Sequence, residues 1–233
     1  MLERKLIDTA RVPSDSGEGA ELQLIAHGRD HMIVVGRNEL MSTRMQFSEE
    51  QLAELTIDRM ADKAIEHGPV MLIGGYGMGF TLRAALRRLP PAAKVVVAEL
   101  VPEILAWARG PMAHHTGECL ADPRLILEMT DVADPIGEAA DGMRPQFDAI
   151  LLDVDNGPDG LVRPENDVLY SPKSLREMRA AMAPGGVLSI WSAAADPRFT
   201  RRLEKAGFAV DVQEVRARPN NKGPRHTIWF ARA

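Results

Sequence analysis

The chain has 233 residues, 45% of them apolar, and a formal net charge of −5. That length suits one large domain or a domain with a small appendage, with enough apolar residues for a sizeable core. The acidic balance argues against nucleic acid or an anionic membrane surface as a partner. No run approaches the ~18 uninterrupted apolar residues of a membrane span, and the opening residues lack the apolar stretch of a signal peptide. The single Cys119 excludes an intramolecular disulfide framework. The expectation is a cytoplasmic protein with a small-molecule substrate.

Residues 1–18 are polar, with Pro13, Ser14, Ser16 and Gly17, and read as a loose arm. Three strand-like pieces follow, Glu21–Ala26, Met32–Val35 and Glu39–Met45, separated by turns at Gly28-Arg29-Asp30 and Gly36-Arg37-Asn38. They read as a small antiparallel β unit. Ser48 and Gln51 have the spacing of a capping box. Leu52, Leu55, Met60 and Ile65 keep roughly helical spacing up to the stop at Gly68-Pro69.

From residue 70 the pattern alternates. Strands are predicted over Val70–Ile73, Val95–Glu99, around Leu125–Met129, Phe147–Asp153 and Val187–Trp191. Helices are predicted after the first, second, fourth and fifth of these. They stop at Pro90-Pro91, open at Pro102, open at Ser171-Pro172 and open at Asp196-Pro197. Phe208–Val215 and His226–Ala231 read as a closing antiparallel pair. Alternation of strand and helix predicts an α/β fold with a doubly wound, mostly parallel seven-stranded sheet. The expected division is an arm and small β unit over 1–47 and a SAM-methyltransferase-like (Rossmann-like) domain over 48–233.

The most informative stretch is Gly74-Gly75-Tyr76-Gly77-Met78-Gly79, which follows a buried strand. Twenty residues after the last glycine, Glu99 closes the next apolar run. Glycines let backbone approach a ligand closely, and a carboxylate at the end of the second strand accepts hydrogen bonds from ribose hydroxyls. A dinucleotide fingerprint would place Gly or Ala where Phe80 stands; the spacing present, Gly75-x-Gly77-x-Gly79, instead resembles motif I of the S-adenosylmethionine (SAM) transferases. Ligands of such sheets sit beyond the carboxyl ends of the strands. Those ends carry Asp131, Asp153, Asp155, Asn156, Trp191 and Ser192, an acidic rim suited to a sulfonium cation and an amine. His114-His115 with Cys119 read as a solvated loop, because adjacent histidines rarely converge on one ion; no metal is expected. Met41 and Met78 are candidates for lining the sulfonium pocket, with gap filling as the alternative.

From about residue 39 onward the chain resembles the spermidine synthases (polyamine aminopropyltransferases). Their G-G-G-D-G-G is matched by Gly74–Gly79, and their E-x-D-P by Glu99-Leu100-Val101-Pro102. Their third-strand G-D is matched by Thr130-Asp131, and their D-S-[ST]-D-P by Asp153-Val154-Asp155-Asn156-Gly157. Their L-[FY]-[ST] is matched by Leu169-Tyr170-Ser171. The resemblance implies SAM or decarboxylated SAM as donor, held by Gly74, Gly75, Gly77, Gly79 and Glu99, with Asp131 on the adenine. It implies Asp153 as the catalytic proton acceptor and Asp155, Asn156 and Tyr170 around the acceptor. It also implies a homodimer built through the N-terminal β unit. Two positions depart from the family: Gly77 and Asn156 stand where it has aspartates that grip amine groups. The expected activity is transfer of an aminopropyl group to a small amine. A methyltransferase with another acceptor and a non-catalytic nucleoside-binding module are the alternatives.

Overall fold

The structure is a computed structural model that describes residues 3–14, 19–154 and 168–233. Its N-terminal part is a four-stranded antiparallel sheet in chain order: β1 (Arg4–Arg11), β2 (Glu21–His27), β3 (Asp30–Val35) and β4 (Asn38–Ser42). β1 corrects the expected loose arm. It is an edge strand exposed along nearly its whole length, with only Ala10 buried, so its sequence shows no alternation. Backbone pairing to β2 creates it. Asp8 adds an outside anchor by accepting a 2.8 Å hydrogen bond from Trp107 Nε1.

The first helix, α1, runs Phe47–Ile57 and stops short of the predicted length; a separate turn of helix, α2 (Asp62–Glu66), follows. β-branched Thr56 and Ile57 weaken the last turn of α1, and Ala61 is extended. The capping box does not form. Gln46 is the cap residue, the Gln51 amide donates to Glu54, and the Ser48 hydroxyl turns inward.

The main sheet has seven strands in the order β10-β11-β9-β8-β5-β6-β7. They are β5 (Val70–Gly74), β6 (Lys94–Ala98), β7 (Leu125–Glu128), β8 (Phe147–Leu152), β9 (Met182–Ser192), β10 (Ala209–Arg218) and β11 (Lys222–Arg232). β5 to β9 run parallel, and β11 and β10 close one edge antiparallel. The helices are α3 (Phe80–Arg88), α4 (Pro102–Arg109), α5 (Ala113–Thr116), α6 (Ala133–Ala140), α7 (Pro172–Ala180) and α8 (Pro197–Lys205). α7 and α8 are capped as predicted, by the side chains of Ser171 and Asp196. α6 is an addition, a short helix whose small residues leave little periodic signal.

Strand residues alternate between two cores. Met71, Ile73, Val95, Val97 and Leu151 face α1 and α3 on one side; Leu72, Val96, Ile150, Leu188 and Trp229 face α7 and α8 on the other. Both faces are therefore apolar, as a parallel sheet covered by helices requires. No described helix is long and apolar enough to cross a membrane. The chain leaves β5 toward β6 in one direction and later enters β8 on the other side. The crevice beyond the carboxyl ends of β5 and β8 is thus the topological switch point where such sheets bind ligands.

Candidate functional site

A cleft opens at that switch point. Its floor is Gly75, Gly77, Glu99, Asp131 and Asp153, and it is also lined by Leu22, Ile33, Leu40 and Met41 from the N-terminal sheet and by Val12 just after β1. The structure therefore brings the glycine run, the second-strand carboxylate, the third-strand carboxylate and Asp153 to one place.

The glycine run forms a tight, left-handed turn. Gly75, Gly77 and Gly79 have φ of +83°, +53° and +76°, values that a side chain strains. Gly75 also sits so close to strand β8 that a Cβ would lie 3.0 Å from the Asp153 carbonyl oxygen. Gly77 has a different neighbour: a Cβ there would meet Met41 Cε at 2.6 Å. Met41 thus fills the space beside the position where the resembled family carries an aspartate. Met78, the other candidate methionine, is buried in the core and does not line the cleft.

Glu99 is buried and doubly engaged. Its Oε2 accepts from the Tyr76 N–H and its Oε1 from the Val101 N–H, both at 2.8 Å. Burial pushes its pKa up, opposed by backbone N–H groups that include Tyr76 and Val101. The carboxylate ties the glycine turn to the end of β6. The carboxylate lines the cleft, where a ribose hydroxyl can donate to it. Asp131 lines the cleft after β7, and its Oδ1 accepts from the Ala133 N–H at 3.0 Å, opening α6.

Asp153 follows β8, its backbone N–H bonded to the Gly74 carbonyl at 3.2 Å. Its Oδ2 lies 3.0 Å from Thr81 Oγ1, which in turn lies 3.3 Å from the Glu49 carbonyl. The hydroxyl has one proton and serves one acceptor at a time. Glu49 itself is buried and interacts electrostatically with Asp153. Burial raises the pKa of both carboxyls, and the mutual repulsion raises Glu49 further. Among the described residues the ion pairs of Arg83 and Arg87 go to Glu50 and Glu54, not to this pair. Behind Glu49 stands a short relay: Ser48 donates to Glu49 Oε2 at 2.9 Å, and His226 Nδ1 lies 2.9 Å from Ser48 Oγ. Because the Ser48 proton is committed to Glu49, His226 Nδ1 is the donor. Burial pushes the His226 pKa down to about 4, so the ring is neutral.

A group with a raised carboxyl pKa binds its proton more tightly in the folded state. The pair therefore costs stability progressively as pH rises above the ordinary carboxylate range. Glu49→Gln removes one member and keeps the shape. Its stability relative to the native chain is expected to improve by roughly 1–3 kcal/mol between about pH 5 and about pH 9. Urea unfolding at the two pH values checks this; a difference independent of pH would mean that neither burial nor Asp153 raises the Glu49 pKa.

Tyr170 lies outside the cleft. Its ring is buried in the second core, edge-on to Phe199 with centroids 5.6 Å apart. An apolar ring flanking two helices packs there more favourably than at a polar rim. Tyr170→Phe is accordingly expected to cost about 1 kcal/mol of stability, the worth of one hydroxyl interaction, with the KM for the acceptor unchanged in steady-state kinetics. Trp191 is likewise core, packed edge-on against His226 at 4.7 Å. Asp155 and Asn156 lie outside the described residues.

Sequence reasoning passed over Glu49, Thr81, Ser48 and His226. A signal for Glu49 was present: it sits three and four positions before buried Leu52 and Ala53, on the apolar face of α1. Acidic residues in a first helical turn normally serve the dipole from an exposed position; this one is on the wrong face for that. The histidine reading was also incomplete. His114 and His115 do meet a third ligand-type side chain, but it is His31 of β3 and not Cys119.

No protein-family model matches the chain. A polyamine aminopropyltransferase from Nitrosomonas europaea is 36% identical over 131 residues, which is 54% of this chain and 37% of that protein's own length. Among solved structures, a spermidine synthase bound to the transition-state analogue AdoDATO superposes with a TM-score of 0.72 at 17% identity, covering 98% of this chain and 73% of that one. The spermidine synthase from Thermotoga maritima gives 0.70 at 17% identity, with 98% and 72% covered. The chain thus has the spermidine synthase fold, a four-stranded sheet before a methyltransferase-like sheet, and through its matched segment is a sequence relative of a polyamine aminopropyltransferase.

Proposed function

We propose that the protein transfers the aminopropyl group of decarboxylated SAM to a small amine. The observation that carries this reading is Asp153, a half-buried carboxyl that lines the nucleoside cleft, with a second, buried carboxyl, Glu49, near enough to be repelled by it and no described arginine or lysine ion-paired to either. Two carboxyls held together away from water favour a proton or a cation between them. An acceptor ammonium supplies both, and handing over a proton leaves a neutral amine beside the base. A free amine has a pKa near ~10, so this proton removal is what makes it a nucleophile.

The reaction is a direct displacement. The amine nitrogen attacks the propyl carbon bonded to sulfur, the carbon–sulfur bond breaks, and methylthioadenosine leaves with the electron pair. Asp153 holds the one proton taken from the acceptor before attack, and the product leaves as a secondary ammonium. The apolar wall of Ile33, Leu40 and Met41 excludes water around the sulfonium. Glu99 and Asp131 hold ribose and adenine, and alignment of the two reactants supplies most of the acceleration. Asp155 and Asn156 belong to the acceptor side. With an amide at Asn156 one gripping charge is missing, and putrescine is a poorer acceptor than it is for a synthase with both aspartates. A homodimer and a cytoplasmic location belong to the same reading.

The test is mass spectrometry of the purified protein with decarboxylated SAM and a panel of mono- and diamines, putrescine included. Methylthioadenosine and an aminopropylated amine are expected. Release of S-adenosylhomocysteine from SAM, with no methylthioadenosine from its decarboxylated form, would replace this reading with methyl transfer.

A further inference from the structure

A second cluster of chemistry-bearing side chains lies away from the cleft, where the N-terminal sheet meets the main body. His31 comes from β3, and His114 and His115 from α5. One ligand-type nitrogen from each of the three lies within 4.8 Å of the other two. His31 Nδ1 and His115 Nε2 are 3.0 Å apart and share a proton. The rings of His114 and His115 lie 3.9 Å apart, and both contact the His31 ring edge-on, at 5.6 and 5.1 Å. A tetrahedral ion with nitrogen ligands at 2.0–2.1 Å places those nitrogens about 3.4 Å from one another. The cluster is thus within small side-chain rotations of a three-nitrogen coordination site.

The supports around the rings are those of a ligand set. The His31 backbone is fixed on both sides by Thr43, whose Oγ1 accepts from the His31 N–H at 3.2 Å and whose N–H donates to the His31 carbonyl at 3.0 Å. The His115 carbonyl accepts from Arg83 Nη1 at 2.7 Å. The His115 ring is hydrogen-bonded to the Arg29 backbone, the outer contact that orients metal-ligating imidazoles. The Asp30 carboxylate stands beside the cluster, held by Arg44 at 2.6 Å. Coordination of His31 and His115 needs only a tautomer shift of the shared proton.

We propose that His31, His114 and His115 form a transition-metal site that clamps the N-terminal sheet to the body of the protein. Three imidazoles select a borderline ion such as Zn²⁺, Co²⁺ or Ni²⁺ over Mg²⁺ or Ca²⁺. His114 is exposed, so a fourth position is open to water. The clamp has a mechanical consequence. Ile33, two residues from His31 on the same strand, and Met41, its partner across β3 and β4, both line the substrate cleft. An ion at the three histidines fixes that wall.

The experiment uses chelator-treated full-length protein titrated with Zn²⁺ by calorimetry, with unfolding followed in parallel. One ion per chain at micromolar or tighter Kd is expected, with a rise in Tm. His114 is exposed, so His114→Ala leaves the fold intact by circular dichroism; it is expected to weaken Zn²⁺ at least tenfold and abolish the rise in Tm. His67→Ala, at an exposed helix end, changes neither. Co²⁺ is expected to give visible ligand-field bands in the native chain that are absent from His114→Ala, and millimolar Mg²⁺ is expected not to compete. Absence of saturable binding, or equal Zn²⁺ affinity in native and His114→Ala chains, would overturn the proposal.

Discussion

Asp153→Asn is expected to slow turnover of the true acceptor by about 10²–10⁴-fold, the worth of a positioned general base, while nucleoside affinity stays nearly intact. The asparagine preserves the shape at the end of β8. It also keeps an oxygen for the Thr81 hydroxyl, which now sits 3.0 Å from Asp153 Oδ2. What is lost is the capacity to take a proton from the attacking amine. The measurement is single-turnover release of methylthioadenosine, paired with calorimetric binding of methylthioadenosine to the same variant. Because Asp153 and Glu49 repel each other, neutralising Asp153 also lets Glu49 ionise more readily. In the variant Glu49 is therefore expected to titrate at a lower pH than it does in the native chain. A loss of tenfold or less would mean that Glu49, and not Asp153, accepts the proton. A loss of nucleoside binding would move Asp153 to the donor side of the cleft.

What the sequence made legible follows from how local each signal is. The glycine run, Glu99, Asp131 and Asp153 lie at strand ends, and the carboxyl ends of parallel strands lie on one side of the sheet; recognising the strands as parallel was enough to assemble them. α7 and α8 announce themselves through Ser171-Pro172 and Asp196-Pro197, where cap chemistry is a matter of adjacent residues. The misses are contacts between distant segments. β1 exists because β2 offers its backbone, which its own polar residues do not reveal. Ser48 looked like a cap because its spacing to Gln51 is right, yet its hydroxyl bonds Glu49 and His226, a residue 178 positions away. His31 sits 84 positions from His115, and no spacing rule spans that distance. The emptiness at Gly77 had a cause too: Met41, on β4, fills the volume that a side chain there would need. In each case a non-local partner decided the outcome over the local pattern.

Glu99→Gln is expected to weaken binding of methylthioadenosine by about 1.5–3 kcal/mol, the range for hydrogen bonds to a charged acceptor, or roughly 10- to 150-fold in Kd. Two losses combine. An amide in place of the carboxylate presents N–H groups where the Tyr76 and Val101 N–H groups now donate at 2.8 Å, so one of the two backbone bonds is replaced by a donor–donor contact. The glycine turn is then less well held to β6. The ribose also meets a weaker, uncharged acceptor. The two losses separate when free adenine is titrated beside methylthioadenosine. If the ribose contact dominates, adenine affinity is unchanged and only the nucleoside suffers. If turn anchoring dominates, both ligands weaken together, because Asp131 and the glycine backbone no longer face one another across the cleft. The first outcome is expected, since the three left-handed glycines of the turn keep their geometry through backbone bonds besides those to Glu99, including Gly75 N–H to the Ala98 carbonyl at 2.9 Å and Gly79 N–H to the Tyr76 carbonyl at 2.8 Å. Unchanged nucleoside affinity in a folded Glu99→Gln chain would remove Glu99 from the ribose site and leave it as the brace of the turn alone.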